Sequence, residues 1–364
     1  MPAPRQAHLD GLRGFAAAIV AVSLCIEFIV PPLAGEPEAS LRRILAYDFN
    51  MADAGFVALF ALSGYLIPHS FGGAHPLRNF VLKRGLRLYP TFLVAGLLAL
   101  CLLPLAPGFH PTWRQLVKSF VTMHPLTASA QFDHSHWVLA LLLMFYALSI
   151  GAAGLNLLGK RWFAISVAFG LLALCGGLTA IGSLYHRHFP ILALLCLAVA
   201  HFGSFVRQRQ DAGAVESDRA FVVVTAAFWS ALLLIVGLAW SPHWGLGELW
   251  LGKALAFAAG GALFLYGVLR RRMAASRLRY LGDTSYAMYF FLPLLLSAAN
   301  PYVAQNNLGA RLAAAAAVLA LAFAAAAVTF RWAGKPSTNL SHRLVADVAS
   351  GAPVLQPHPP VDVT

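Results

Sequence analysis

The chain has 364 residues, of which 59% are hydrophobic and 11% are charged, and this composition excludes an ordinary soluble domain. A formal charge of +12 is compatible with nucleic-acid binding, but Lys and Arg cluster in short loops between apolar segments and no nucleic-acid-binding motif is present. Membrane lipids are therefore the expected partners. The four cysteines lie inside apolar runs without paired spacing, which argues against a disulfide framework and against a metal site.

Ten stretches are apolar and long enough to cross a bilayer as helices, each of which needs about 20 residues. The sequence therefore predicts an all-α, polytopic membrane protein with one transmembrane domain over residues 1–344. Residues 345–364 are rich in Pro and poor in large apolar side chains, which predicts a flexible cytoplasmic tail. The ten stretches are 12–33, 51–68, 90–109, 136–156, 162–184, 188–206, 220–240, 249–269, 282–303 and 309–330.

The distribution of cations predicts the orientation of these helices. With the amino terminus in the cytoplasm, the inner segments hold nineteen Lys and Arg residues and the outer loops hold six, as the positive-inside rule requires. Both termini are therefore expected to be cytoplasmic. A cleaved signal peptide is the alternative for the first apolar segment, but its length and the charges of Asp10, Arg13 and Glu27 favour a retained helix.

The first apolar segment carries charges where they are costly. Arg13 stands at its start and Glu27 lies inside it. A charge within hydrocarbon costs roughly 2.5–3.5 kcal/mol on insertion scales, so such residues usually face the protein interior or a polar cavity. We therefore expect this segment to form the wall of a functional site, with an ion pair between Asp10 and Arg13 at the helix end as the simpler alternative.

Six segments carry charged or aromatic residues next to or within the apolar stretches, five of them together with Gly, Ser or Pro. They are HLDGLRG at 8–14, FVALFALSGYLI at 56–67, KRGLRLYP at 83–90, HWVLALLLMFYAL at 136–148, LGDTSYAMYFFLPLL at 281–295 and FRWAGKPSTNLSHRL at 330–344. Together these segments resemble the motifs of the acyltransferase 3 family, whose members are membrane proteins that acylate envelope sugars, exopolysaccharides and some small molecules. The resemblance covers nearly the whole chain and keeps the order of the family's motifs.

The resemblance implies an enzyme of a bacterial inner membrane that transfers an acyl group, typically acetyl, from acyl-coenzyme A to a hydroxyl of a carbohydrate or other envelope acceptor. Such a reaction needs a base for the hydroxyl proton, donors for the oxyanion and a grip on the carrier. No metal is implied. The resemblance assigns catalysis to Asp10 and Arg13, carrier binding to Lys83, Arg84 and Arg87, and substrate binding to Trp137, Tyr146, Ser285, Tyr286 and Tyr289.

Each of these assignments has a simpler structural alternative. Arg84 and Arg87 are three residues apart and share a helix face, which suits phosphate binding, but ordinary positive-inside charges would look the same. Tyr286 and Tyr289 also share a face, and aromatic side chains in helical bundles are usually packing residues.

At four positions the chain departs from the family, always by replacing a polar or ionisable residue with an inert one. The family base, a His eleven residues after the first-helix Arg, corresponds to Leu24. The Glu of the fourth helix corresponds to Leu142 or Leu143, the His before the ninth-helix Pro to Leu292, and the acid of the closing motif to Gly334.

Three interpretations of these replacements stay open. The protein is an inactive relative that kept the fold, or Glu27 serves as the base from a position three residues after Leu24, or the site residues were deliberately replaced. A different class of function is a non-catalytic protein that binds or transports a lipid-linked sugar or an acyl carrier in the same cavity. A purely structural scaffold is the third class.

The remaining intramembrane charges and the outer histidines fit structural roles. Asp53 and Lys253 are expected to form a buried pair, although intramembrane ions also mark transport paths. Histidine pairs at 134 and 136 and at 186 and 188 lack the spacing of a helical zinc site, and solvated loop residues are the better interpretation. The sequence does not specify an oligomeric state.

Overall fold

The structure, a computed structural model, describes residues 7–29, 51–73, 75–102, 136–160, 162–187, 189–213, 218–241, 250–270, 273, 275–303 and 308–349. Within these ranges the regular elements are helices, and no strand occurs there. The helices are α1 (Ala7–Ile29), α2 (Met51–Leu66), α3 (Pro76–Leu102), α4 (His136–Gly154), α5 (Phe163–Tyr185), α6 (Ile191–Asp211), α7 (Arg219–Ala239), α8 (Trp250–Arg270), α9 (Ser276–Val303), α10 (Leu308–Thr329) and α11 (Lys335–Ala349).

Each of the ten apolar stretches overlaps one of the helices α1 to α10, so the all-α class is confirmed. In the part of the chain that the structure describes, seven helices are long and apolar enough to cross a membrane, as expected of a polytopic membrane protein. The count of ten spans and the position of the termini stay predictions. The seven are α1, α3, α5, α6, α7, α8 and the continuous helix over Leu308–Val345.

Two helices extend beyond the stretches that the sequence suggested. The third begins at Pro76, so the basic segment at 83–90 is helical and Pro90 lies inside the helix. Proline suits the first position of a helix, and within membrane helices neighbouring groups compensate for its missing N–H. At the other end of the chain, α10 continues through a π-helical turn at Phe330–Gly334 into α11, which ends at Ala349 inside the expected tail.

Glycines allow α1 and α9 to cross at very short distance. A Cβ atom added to Gly282 would lie 2.0 Å from the carbonyl oxygen of Asp10, and one added to Gly14 would lie 2.0 Å from that of Leu278. Small residues at membrane helix interfaces permit such backbone contact. The crossing fixes the start of α1, with Asp10 and Arg13, against the first half of α9.

A second close crossing joins α2 to α6 at the centre of the bundle. A Cβ atom at Gly64 would lie 1.7 Å from the carbonyl oxygen of Ala200, and one at Gly203 would lie 1.9 Å from that of Ala61. The Ser204 hydroxyl donates a hydrogen bond of 2.8 Å to the Gly64 carbonyl. The glycine of the Ser-Gly pair at 63–64 therefore has a packing role.

The expected pair between Asp53 and Lys253 is present. The Lys253 Nζ atom lies 2.7 Å from Asp53 Oδ2, and both side chains are largely buried between α2 and α8. Lys253 also lies over the ring of Trp240, 5.7 Å from its centroid. Of the histidines in the predicted outer loops, His186 is exposed. The histidines at positions 110, 124, 134, 188 and 243 lie outside the described residues, and the side chain of His136 lies outside the described side chains. No cluster of metal ligands occurs in the part of the chain that the structure describes.

Candidate functional site

An apolar cavity of about 70 Å³, the inner cavity, lies between α1, α2, α4 and α9. Leu24, Leu142 and Leu292 all line it, together with Arg13. Three positions from distant parts of the sequence thus converge on one cavity, each at the point where the resemblance predicted an ionisable group. Leu143 packs against the hydrophobic core and does not line the cavity.

The polar groups of the inner cavity are few and come mainly from two helices. Ser63, Ser285, Tyr286 and Tyr289 line it in addition to Arg13. The Ser63 hydroxyl donates to the Leu59 carbonyl at 2.8 Å, and the Ser285 hydroxyl donates to a carbonyl within α9 at 2.8 Å. Since both serine protons are engaged within their own helices, these hydroxyls offer the cavity acceptor oxygens alone.

A second cavity of about 940 Å³, the vestibule, adjoins the first. The starts of α1 and α9, the end of α6, the first half of α3 and α11 surround it. Arg13 and Tyr286 line both cavities, so these two residues stand where the vestibule meets the inner cavity. The vestibule opens among the helix ends that the positive-inside rule assigns to the cytoplasm.

Arg13 and Arg87 flank the ring of Tyr286 at this junction. The guanidinium carbon of Arg13 lies 6.0 Å from the ring centroid and that of Arg87 lies 5.4 Å from it, both within cation–π range. Arg13 is buried and forms an ion pair with Asp10 at 3.2 Å. The predicted catalytic residues Asp10 and Arg13 therefore sit together at the mouth of the inner cavity.

The three predicted carrier residues have different surroundings. Arg87 lines the vestibule, whereas Lys83 lines neither cavity. Arg84 donates hydrogen bonds to the Tyr146 hydroxyl at 3.3 Å and to the Ser70 hydroxyl at 3.0 Å. Arg84 thus acts as a structural link between α3, α4 and the end of α2, and Arg87 alone of the three faces the space where a carrier would bind.

The predicted substrate residues lie close together where the structure describes them. Ser285, Tyr286 and Tyr289 line the inner cavity, and Tyr146 is an electrostatic neighbour of Tyr286. The side chain of Trp137 lies outside the described residues.

Glu27 is not brought to the inner cavity. It is one helical turn beyond Leu24, and its electrostatic neighbours are Asp53 and Lys253. Among the described residues that line the cavity there is no His, Asp or Glu.

Four basic residues of the vestibule were not assigned to the site from the sequence. Arg207 comes from the end of α6, His69 from the turn after α2, and Lys335 and His342 from α11. Arg207 and Lys335 belong to the excess of cations in inner segments, which does not distinguish a ligand site from topology. Lys335 and His342 also lie in the motif at 330–344, to which no site role was assigned. Only the fold brings these four residues, which are far apart in the sequence, into the vestibule beside the start of α1.

The comparisons with known proteins agree with this arrangement. The family model described as an acyltransferase domain, Acyl_transf_3, matches residues 6–331 and so covers all four helices around the inner cavity. No curated protein and no solved structure matches the chain. A match over that length, with the motif residues gathered at one junction, shows that the chain belongs to the acyltransferase 3 family.

Proposed function

We propose that this protein binds acyl-coenzyme A in the vestibule, with the thioester at Arg13 and Tyr286, and that its transfer of the acyl group to a hydroxyl of a carbohydrate or other envelope acceptor is impaired. The observation that carries the proposal is the junction of a large basic vestibule with an apolar inner cavity at these two residues. Acyl-coenzyme A has phosphates at one end, which suit the basic vestibule, and an acyl group at the other end, which suits the apolar inner cavity.

The charges of the vestibule support an anionic ligand. Arg13 and Arg207 are paired with Asp10 and Asp211 at 3.2 and 3.0 Å. Among the described residues no carboxylate forms an ion pair with Arg87 or Lys335, although both line the vestibule. Two carboxylates, Asp10 and Asp283, line the vestibule together with four Arg and Lys side chains, and this excess of cations favours phosphate oxygens. The volume of about 940 Å³ also lies within the range of small-molecule sites, about 300–1,000 Å³.

Acyl transfer at this junction needs donors that stabilise the oxyanion and a base that accepts the hydroxyl proton. The acceptor oxygen must attack the thioester carbonyl, the carbon–sulfur bond must break, and the coenzyme leaves as a thiolate that takes up a proton. Arg13 and the Tyr286 hydroxyl are placed to stabilise the oxyanion. The acceptor hydroxyl must also give up its proton, but the cavity is lined by Leu24, Leu142 and Leu292, none of which can accept one. General base catalysis, worth about 10²–10⁴-fold in rate, is therefore missing.

The geometry also bears on the alternatives. Glu27 neighbours the pair of Asp53 and Lys253 and does not line the inner cavity, so the proposal of Glu27 as a base has no geometric support. A sugar in this cavity would find few partners for its hydroxyls, and each hydroxyl left unpaired costs about 1–3 kcal/mol. If the protein is non-catalytic, an acyl carrier is therefore the better ligand than a lipid-linked sugar.

Binding of coenzyme A and acetyl-coenzyme A to the purified protein in lipid nanodiscs tests the first half of the proposal. Arg87→Gln and Lys335→Gln each remove a charge-assisted contact worth about 1.5–3 kcal/mol, so each should weaken binding about 10- to 150-fold. The matched control is Arg331→Gln, at an exposed arginine in the turn before α11 that lines neither cavity. Absence of saturable binding, or an equal loss in the control, contradicts the proposal.

Release of free coenzyme thiol tests the second half. We expect the protein to release thiol no faster than buffer, and we expect the double variant Leu24→His with Leu142→Glu to release it measurably, because a base and a carboxylate then line the cavity. The double variant must first retain coenzyme binding. A variant that binds but releases no thiol would refute the view that these leucines are what impairs transfer.

A further inference from the structure

We propose that the inner cavity is an acyl-chain pocket, and that the protein prefers coenzyme A thioesters of short chains longer than acetyl, with butanoyl near the optimum. The inference rests on the proposed function, because it assumes that the thioester lies at Arg13 and Tyr286. It goes further by assigning an occupant to the space that the leucines enclose.

The lining of the inner cavity is that of a site for hydrocarbon. Beyond the junction, the wall consists of aliphatic and aromatic side chains, including Leu24, Val138, Leu142, Met288 and Leu292. The serine hydroxyls there already donate to carbonyls of their own helices, so they offer no hydrogen-bond donor. A polar acceptor that entered would lose its hydrogen bonds to water, whereas a chain of methylene groups has none to lose.

The volume of the inner cavity limits the length of that chain. Apolar cavities of about 150 Å³ bind benzene, and one water occupies about 30 Å³, which is also close to the size of a methylene group. A volume of about 70 Å³ therefore holds two to three carbons. With the carbonyl carbon at the junction, a propanoyl or butanoyl chain fills the cavity, while the single methyl carbon of an acetyl group leaves more than half of it empty.

The position of the two cavities makes this pocket selective. Arg13 and Tyr286 hold the carbonyl end at a fixed point, because Arg13 is paired with Asp10 and the Tyr286 ring is in cation–π range of both Arg13 and Arg87. A chain anchored there cannot slide outward to relieve overfilling. Affinity should therefore rise with chain length until the cavity is full and then stop rising.

The test is a series of binding measurements with free coenzyme A and with its acetyl, propanoyl, butanoyl and octanoyl thioesters. We expect affinity to rise about fourfold for each methylene from acetyl to butanoyl, which corresponds to about 0.8 kcal/mol per buried methylene, and octanoyl to bind no more tightly than butanoyl. An affinity that changes less than twofold across the series, or that keeps rising to octanoyl, overturns the inference. Failure of free coenzyme A to bind refutes the proposed function instead.

Two variants of the same helix connect the preference to the cavity. Leu142→Phe fills the inner cavity and should reduce the butanoyl-to-acetyl preference to less than fourfold. Leu148→Phe is the matched control, because Leu148 is 47% exposed and does not line the cavity. An unchanged preference in Leu142→Phe, or an equal change in both variants, overturns the inference. If Leu142→Phe does not fold, the series of thioesters measured with the unaltered protein decides the inference.

Discussion

Substitution of Lys253 by Met should destabilise the bundle strongly. The Lys253 Nζ atom and Asp53 Oδ2 are 2.7 Å apart, and the side chains are 13% and 6% exposed. Removal of one partner from a buried ion pair leaves the other charge uncompensated and typically costs about 3–5 kcal/mol. Glu27 raises the cost here, since it is a second carboxylate in electrostatic contact with Asp53 once the lysine is gone.

The double variant Asp53→Asn with Lys253→Met should recover much of this loss. It removes both charges, and replacement of a whole buried pair by uncharged groups is often close to neutral. Denaturant unfolding in detergent micelles measures the two single variants and the double variant, and the difference between the double and the sum of the singles gives the coupling. We expect that coupling to exceed about 1.5 kcal/mol in favour of the pair.

The control for this cycle is Lys160→Met, at an exposed lysine in the loop after α4. A substitution on the surface should change the free energy of unfolding by no more than about 0.5 kcal/mol. The reasoning is refuted if Lys253→Met costs no more than the control, or if the double variant costs as much as the sum of the two single variants. A transport role for the pair would instead require that the double variant, though stable, lose passage of a ligand.

Three further substitutions test the packing and hydrogen bonding around the site, each by the same unfolding assay. Gly64→Ala places a methyl group 1.7 Å from a carbonyl oxygen of α6 and should cost at least about 1–3 kcal/mol of stability. The control, Gly85→Ala, has open space around it and should be neutral or stabilising. Equal changes in the free energy of unfolding for the two variants would contradict the close crossing. Arg84→Lys can serve only one of its two hydroxyl partners and should cost about 1–2 kcal/mol, and a neutral result would show that the link is not structural. Tyr65→Phe removes the hydroxyl that accepts a 2.9 Å bond from buried Arg207 and should cost about 1–3 kcal/mol, unlike an exposed Tyr→Phe change.

Hydropathy alone predicted the helices well because lipid imposes a strict requirement on them. A segment that crosses a bilayer must satisfy its own backbone hydrogen bonds, so an apolar stretch of sufficient length becomes a helix. The ends were less predictable. The third helix begins at Pro76, well before its apolar part, and hydropathy gives no signal for the basic residues of this first half, of which Arg87 lines the vestibule.

Spacing along one helix did not predict which of its cations would face the site. Residues three apart differ by about 60° around the helix axis, which is enough to give them different neighbours. Arg84 reaches the hydroxyls of Ser70 and Tyr146, while Arg87 reaches the ring of Tyr286 and the vestibule. Which neighbour each finds depends on where α4 and α9 pack, and this is a property of the tertiary fold.

Long-range convergence was predictable where motifs from several helices could be compared with a family, and only there. Leu24, Leu142 and Leu292, which correspond to family positions on three different helices, line one cavity together with Arg13. The vestibule residue Arg207 lies in none of the six motifs, and Lys335 lies in the last motif without a role assigned to it. Only the packing of α6 on α2 and of α11 on α3 brings these two side chains to the vestibule.

The contrast between Leu24 and Glu27 shows how far a helix-face argument extends. Three residues separate them, so they are near neighbours around the axis, but the rise between them is about 4.5 Å. That distance takes the side chain from the inner cavity to the charges of Asp53 and Lys253. The neighbours of Glu27 there include the Lys253 ammonium group as well as Asp53, whereas a cavity walled by leucine would offer a carboxylate no cationic partner. Position along the helix, rather than helix face, thus separates the charged cluster from the candidate site, and Glu27 does not supply to the inner cavity the base that the family resemblance leads one to expect at position 24.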